Sequence, residues 1–169
     1  MTPLSLDDQR FLDAAEGWIG LGDYASANEE LEQISPEMRA HPEVLLARWK
    51  IYARALKWET CIDIANAVIE VAPDIAAGWL QRSFALHELK RTQEAYDLLL
   101  PVAGKFPENW TIPSNLACYT TQLRRFDEAE KWFKEAMAID EQGVKHAAID
   151  DPDLALLWDS KSGTLWTKT

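Results

Sequence analysis

The chain has 169 residues, 47% hydrophobic and 27% charged, which is one domain's worth of globular protein with enough apolar material for a core. A net charge of −11 makes nucleic acid and anionic lipid poor partners, because a surface this acidic is repelled by phosphate. No run reaches the roughly 20 apolar residues of a membrane span. Two cysteines, Cys61 and Cys118, imply no disulfide framework. The opening residues Met1 to Asp8 have neither the basic nor the apolar region of a secretory signal, so a cytoplasmic protein with free thiols is expected.

The segment 1–41 holds nine acidic side chains against Arg10 and Arg39, whereas 76–109 is balanced. The acidic end reads as a solvated face or as steering for a basic partner. Gly22 is placed to end a first helix in the left-handed conformation, and Ala27 follows it on a second helix. Ala27 then recurs at a constant interval as Cys61, Ala95 and Ala129. Three residues before these stand Tyr24, Trp58, Thr92 and Phe126. Four after come Leu31, Ala65, Leu99 and Phe133, and seven after come Ile34, Val68, Val102 and Ala136. Small, large and apolar residues at this spacing form one face of a helix.

The intervening segments read the same way, through Leu45, Trp49 and Tyr52 and through Trp79, Ser83 and Leu86. Pro73 and Pro107 stop second helices, since proline cannot continue the ladder. The period predicts eight helices in four pairs. After them, Asp151-Pro152-Asp153 predicts one more helix, with Asp151 as its N-cap and Leu154, Leu157 and Trp158 on one face; the chain from Ser160 is expected to fray.

A 34-residue helix–turn–helix period resembles the tetratricopeptide repeat (TPR). Units 8–41, 42–75, 76–109 and 110–143 fit without a gap and cover about four-fifths of the chain. The fourth unit is the best match, with Asn115-Leu116-Ala117-Cys118-Tyr119 and the run from Phe126 to Ala136. Arg39 and Glu141 depart from the terminal proline that Pro73 and Pro107 keep. The resemblance implies an all-α fold: an α-solenoid of four TPR units in one domain, 1–169, with 144–169 as a capping helix and frayed tail.

It also implies that first helices line a concave groove. Carried over residue by residue, that groove would be lined by Leu12, Leu46, Lys50, Arg54, Leu80, Phe84, His87 and Cys118, an apolar stripe with a mixed polar rim. Lysine and asparagine, which the family's carboxylate clamp requires, are replaced by Leu12 and Glu16 in the first unit, so a chaperone-tail adaptor is not expected. Arg48 and Arg82 stand where the family has a buried leucine. They must pair or snorkel, with Asp150, Asp153 or a ligand carboxylate as partners.

No metal-ligand spacing, phosphate loop or nucleophile elbow occurs, and Cys118 reads as a small apolar helix residue. Neither catalysis, a cofactor nor a metal is expected. The expected function is non-catalytic protein or peptide binding through the groove, as an adaptor or assembly factor. The alternatives are a dedicated secretion-type chaperone and a structural module that pairs two copies into a homo-oligomer. Nucleic acid and membranes are not expected partners.

Overall fold

The computed structural model describes residues 2–148 and 151–160, and every regular element among them is helical. The helices are α1 (Leu6–Leu21), α2 (Tyr24–Gln33), α3 (Pro42–Arg54), α4 (Trp58–Val71), α5 (Ala76–Glu88), α6 (Thr92–Leu99), α7 (Thr111–Gln122), α8 (Phe126–Ile139), α9 (Glu141–Ala148) and α10 (Ala155–Ser160). Short 3-10 turns occupy Pro36–Met38, Leu100–Lys105 and Pro152–Leu154. Two compact units, residues 1–85 and 86–169, make up the chain. Asp150 and the segment after Ser160 lie outside the described residues.

The backbone repeats with the period of the side chains. Positive φ falls on Gly22 (79°), Leu56 (55°), Lys90 (63°) and Arg124 (60°), one repeat apart at every step. The same pair of hydrogen bonds closes the helix at each of them. Gly22 N donates to Ile19 O at 3.0 Å and Asp23 N to Trp18 O at 2.9 Å. Leu56 and Lys57, Lys90 and Arg91, and Arg124 and Arg125 make the equivalent pairs at 2.8 to 3.0 Å. This is the left-handed C-cap, in which two late amides satisfy carbonyls that the helix end leaves bare.

Only the first of these four positions carries the residue that suits it. Nothing lies within 4 Å of a Cβ added at Gly22, so substitution there is opposed by φ alone. Gly22→Ala is expected to lower stability by about 1 kcal/mol, and Lys90→Gly to raise it by up to about 1 kcal/mol. Urea midpoints check both signs; a neutral Lys90→Gly would contradict the account.

The core follows the period too. The Ala27 series, the Leu31 series and the Ile34 series are all buried, twelve residues in register. In the first unit, Leu12, Ala15, Ala27, Leu31, Ile34, Val44 and Ala47 form one cluster between α1, α2 and α3. The second pair reverses the usual sizes, with Trp49 where Ala15, Ser83 and Ala117 stand and Ala65 where Leu31, Leu99 and Phe133 stand. Gly78 on α5 is a close approach: an added Cβ would lie 2.9 Å from Val68 Cγ1 on α4.

Two elements differ from the sequence expectation. Helix α6 is short, ending at Leu99, because Pro101 withdraws an amide and the chain continues as a 3-10 turn; Val102 stays buried nonetheless. Helix α9 is an element that the repeat reading did not resolve. Asp140 starts it, accepting from Gly143 N at 2.9 Å, and Val144 and Ala148, one helical turn apart, bury its inner face next to α8.

Asp8 ties the first helix down. Ser5 caps α1 by accepting from Asp8 N at 3.1 Å, while the buried Asp8 carboxylate accepts from Ser35 N at 2.7 Å, Ser35 Oγ at 3.0 Å and Ser5 Oγ at 2.7 Å. These bonds, the Ser35 amide first, hold the carboxyl below its ordinary value of 3.8. A depressed folded value means stability that is present above the unfolded value and is lost as pH falls through the folded one. Asp8→Asn is therefore expected to lower the melting temperature at pH 7. That deficit should shrink as pH drops below 3.8; one that persists in acid would show that the charge is not the cause.

Candidate functional site

In the unit formed by residues 1–85, the first helices α1, α3 and α5 carry six of the eight groove positions. Leu12 is 3% exposed and sits in the core cluster, so it offers no surface. Leu46 and Leu80 are both half-buried. Lys50 is exposed, its Nζ 3.4 Å from Glu16 Oε1, and the exposed Arg54 guanidinium lies 5.9 Å from the centre of the Tyr24 ring. Glu16, Lys50 and Phe84 occupy the same position of successive repeats.

Phe84 is 39% exposed, the reverse of what an unconstrained phenylalanine does. It is held there by edge contacts to Trp49 on α3, with ring centroids 6.2 Å apart, and to Trp58 on α4, 5.8 Å apart. Both geometries are tilted toward perpendicular, at 65° and 70°, as the aromatic quadrupole favours. The result is an aromatic cluster with one ring in water and cationic side chains on the neighbouring α3.

The unit formed by residues 86–169 treats its groove positions differently. Helix α7 is buried nearly all round, through Ile112, Pro113, Ser114, Leu116, Ala117, Cys118, Tyr119, Thr120 and Thr121. Thr120 and Thr121 bond back to carbonyls of their own helix, at 2.6 and 2.7 Å. Neighbours α6 and α8 cover two sides, and the segment from Asp151 to Ser160 covers another.

His87 and Cys118 meet that segment. His87, 5% exposed, places Nε2 3.0 Å from Asp153 Oδ2 and Nδ1 3.0 Å from Thr92 Oγ1, with its ring 5.0 Å from that of Tyr119. The His87 hydrogen bond, then the His87 and Lys90 charges, hold the Asp153 carboxyl below its ordinary range against the opposing effect of burial. The Cys118 thiol donates to Asp151 Oδ2 at 3.4 Å. Burial, reinforced by the Asp151 charge, pushes that thiol well above its usual range, so it stays protonated and acts as a donor. Cys61 is likewise pushed up to about 11 by burial.

Arg48 and Arg82 each reach a polar side chain on the preceding second helix. Arg48 Nη1 lies 2.8 Å from Glu32 Oε1, and its hydrogen bond and charge hold that carboxyl below the usual range. Arg82 Nη1 donates to Asn66 Oδ1 at 3.3 Å, and its guanidinium lies 5.1 Å from the Trp79 ring. Glu32 and Asn66 are themselves one repeat apart, so both contacts join a second helix to the next first helix at the same repeat position. That shared spacing was readable in the sequence. Gln122, Thr92 and Tyr119 around the C-terminal segment were not, because their meeting with Asp153 or with His87 beside it depends on how the chain returns after α9.

Among the described residues, no group of three His, Cys, Asp or Glu side chains is placed to hold a metal ion, and no helix is long and apolar enough to cross a membrane. A surface depression along residues 105–111 includes none of the groove positions.

Neither a protein-family model nor a curated protein sequence matches the chain. Solved structures do. The thermophilic TPR protein TTC0263 of Thermus thermophilus superposes with a TM-score of 0.76 at 18% identity, over 92% of this chain and 83% of that one. PilF of Pseudomonas aeruginosa gives 0.74 at 16%, over 91% and 69%. MamA from Desulfovibrio magneticus RS-1, residue 41 to its end, gives 0.69 at 12%, over 94% of each chain. At such identities the likeness is one of fold: the chain is an all-α helical-repeat protein with the TPR solenoid fold.

Proposed function

We propose that the chain is a cytoplasmic, non-catalytic protein- or peptide-binding module, an adaptor or assembly factor built of four TPR units at 8–41, 42–75, 76–109 and 110–143. The recurrence of the left-handed cap at Gly22, Leu56, Lys90 and Arg124 supports the unit count. The observation that carries the binding reading is Phe84. An aromatic ring held 39% exposed by two tryptophans, one of them on the helix that also carries the exposed Lys50 and Arg54, is the kind of surface that anchors a partner. The partner it suits presents an apolar anchor flanked by acidic groups. Engagement of His87 and Cys118 with carboxylates of the same chain favours a binding role over a catalytic one.

Phe84→Glu tests this. The ring is 39% exposed, so the fold should survive, with a melting temperature lowered by the loss of the two aromatic edge contacts. Affinity capture from the native cytoplasm should then lose its specific partners. Retention of the same set of captured proteins by a folded Phe84→Glu variant would overturn the proposal.

A further inference from the structure

The first helix of a stacked repeat ordinarily keeps one face free, yet α7 is buried nearly all round, and its additional cover is the segment from Asp151 to Ser160. That cover is gripped through polar groups as well as apolar ones. His87 takes the Asp153 carboxylate at 3.0 Å, Cys118 donates to the Asp151 carboxylate at 3.4 Å, and Gln122 Nε2 donates to the backbone carbonyl of Asp153 at 2.9 Å. Leu154 and Leu157 are fully buried behind this turn, and Trp158 sets its ring edgewise on Phe133, with centroids 5.1 Å apart.

A plain cap needs only apolar contact. Here two carboxylates, one main-chain carbonyl and three apolar side chains are each met by a particular group, which is how a peptide site reads a sequence. The elements that fill the site are the 3-10 turn Pro152–Leu154 and the short helix α10, too brief to persist without their docking contacts.

We propose that the face of α7 bearing Cys118 and Gln122, with His87 beside it, is a peptide-binding site occupied in cis by the chain's own C-terminal segment. Its partner in trans is a protein segment of the same chemistry: two aspartates in an Asp-Pro-Asp-like turn, followed by a helical turn with leucines three apart and a tryptophan. Such a segment competes with the resident one, so the site opens only to partners that match it. This site uses residues other than those around Phe84 and stands or falls without them.

The test uses the full chain and a labelled peptide spelling residues 151–159. Wild type should bind it weakly, because the site is filled. Leu154→Asp/Leu157→Asp, which releases the resident segment and leaves α7 intact, should bind it saturably and more tightly by at least about tenfold. Binding should fall by about tenfold or more when the peptide carries Asp153→Asn or when His87→Ala is added to the released chain, the loss of one hydrogen bond to a charged group. Should the double variant fail to fold, Leu157→Asp alone, which removes one of the two buried leucine anchors of the segment, takes its place. A folded released variant that ignores the peptide, or binds a scrambled one equally, would overturn the proposal. So would a wild-type mass twice the monomer's by light scattering that halves on release, since the segment would then belong to a second copy.

Discussion

Phe133→Ala is expected to lower stability by about 3–5 kcal/mol, the range for emptying a buried aromatic site. Phe133 is 1% exposed on α8 and belongs to the same repeat series as Leu31, Ala65 and Leu99. Its ring also supports Trp158, with planes at 81°. The substitution therefore removes core packing and the platform of the C-terminal segment together. A urea-denaturation cycle with Trp158→Ala separates the two effects. Their coupling should be about 0.5–1.5 kcal/mol, the value of a well-oriented aromatic pair. Strict additivity would mean that the two rings do not sense one another.

Ala95→Leu is the second large effect. Ala95 is fully buried on α6, at the small-residue position that recurs as Ala27, Cys61 and Ala129. Helices of one pair approach through that position, so the added side-chain carbons have no room and must displace a neighbour. The expected loss is about 1–3 kcal/mol. Leu98→Ala on the same helix is the control. Leu98 is exposed, and its truncation should stay within about 0.5 kcal/mol. Equal urea midpoints for Ala95→Leu and wild type would refute the packing register.

The fold was largely legible because its determinants are local and repeated. The twelve residues of the three buried series were readable from spacing, since a helix brings residues four and seven apart onto one face. The left-handed position was legible only at Gly22. At Leu56, Lys90 and Arg124 the residue type hides a conformation that the helix end imposes by satisfying its carbonyls. Helix α9 went unread because Gly143 lowers its propensity and its two buried residues, Val144 and Ala148, make too short a pattern. Pro101 was present to be read, yet the continuing apolar series through Val102 masked the break.

The candidate site divides in the same manner. The sequence by itself named the residues expected at the groove positions of each repeat, and it determined that Asp151-Pro152-Asp153 begins a helical segment. Only the tertiary structure decided what those positions face. It put Leu12 into the core, held Phe84 in water between Trp49 and Trp58, and enclosed His87 and Cys118 under Asp153 and Asp151. The physical reason is the range of the interactions. Helix periodicity and capping act over a few residues and are written into neighbouring positions. The Asp153–His87 contact joins residues far apart in the chain, and it exists because the chain turns after α9 and lays its last described residues along α7. No local pattern encodes that return; the burial of Leu154 and Leu157 drives it, and the carboxylates then take the donors they find.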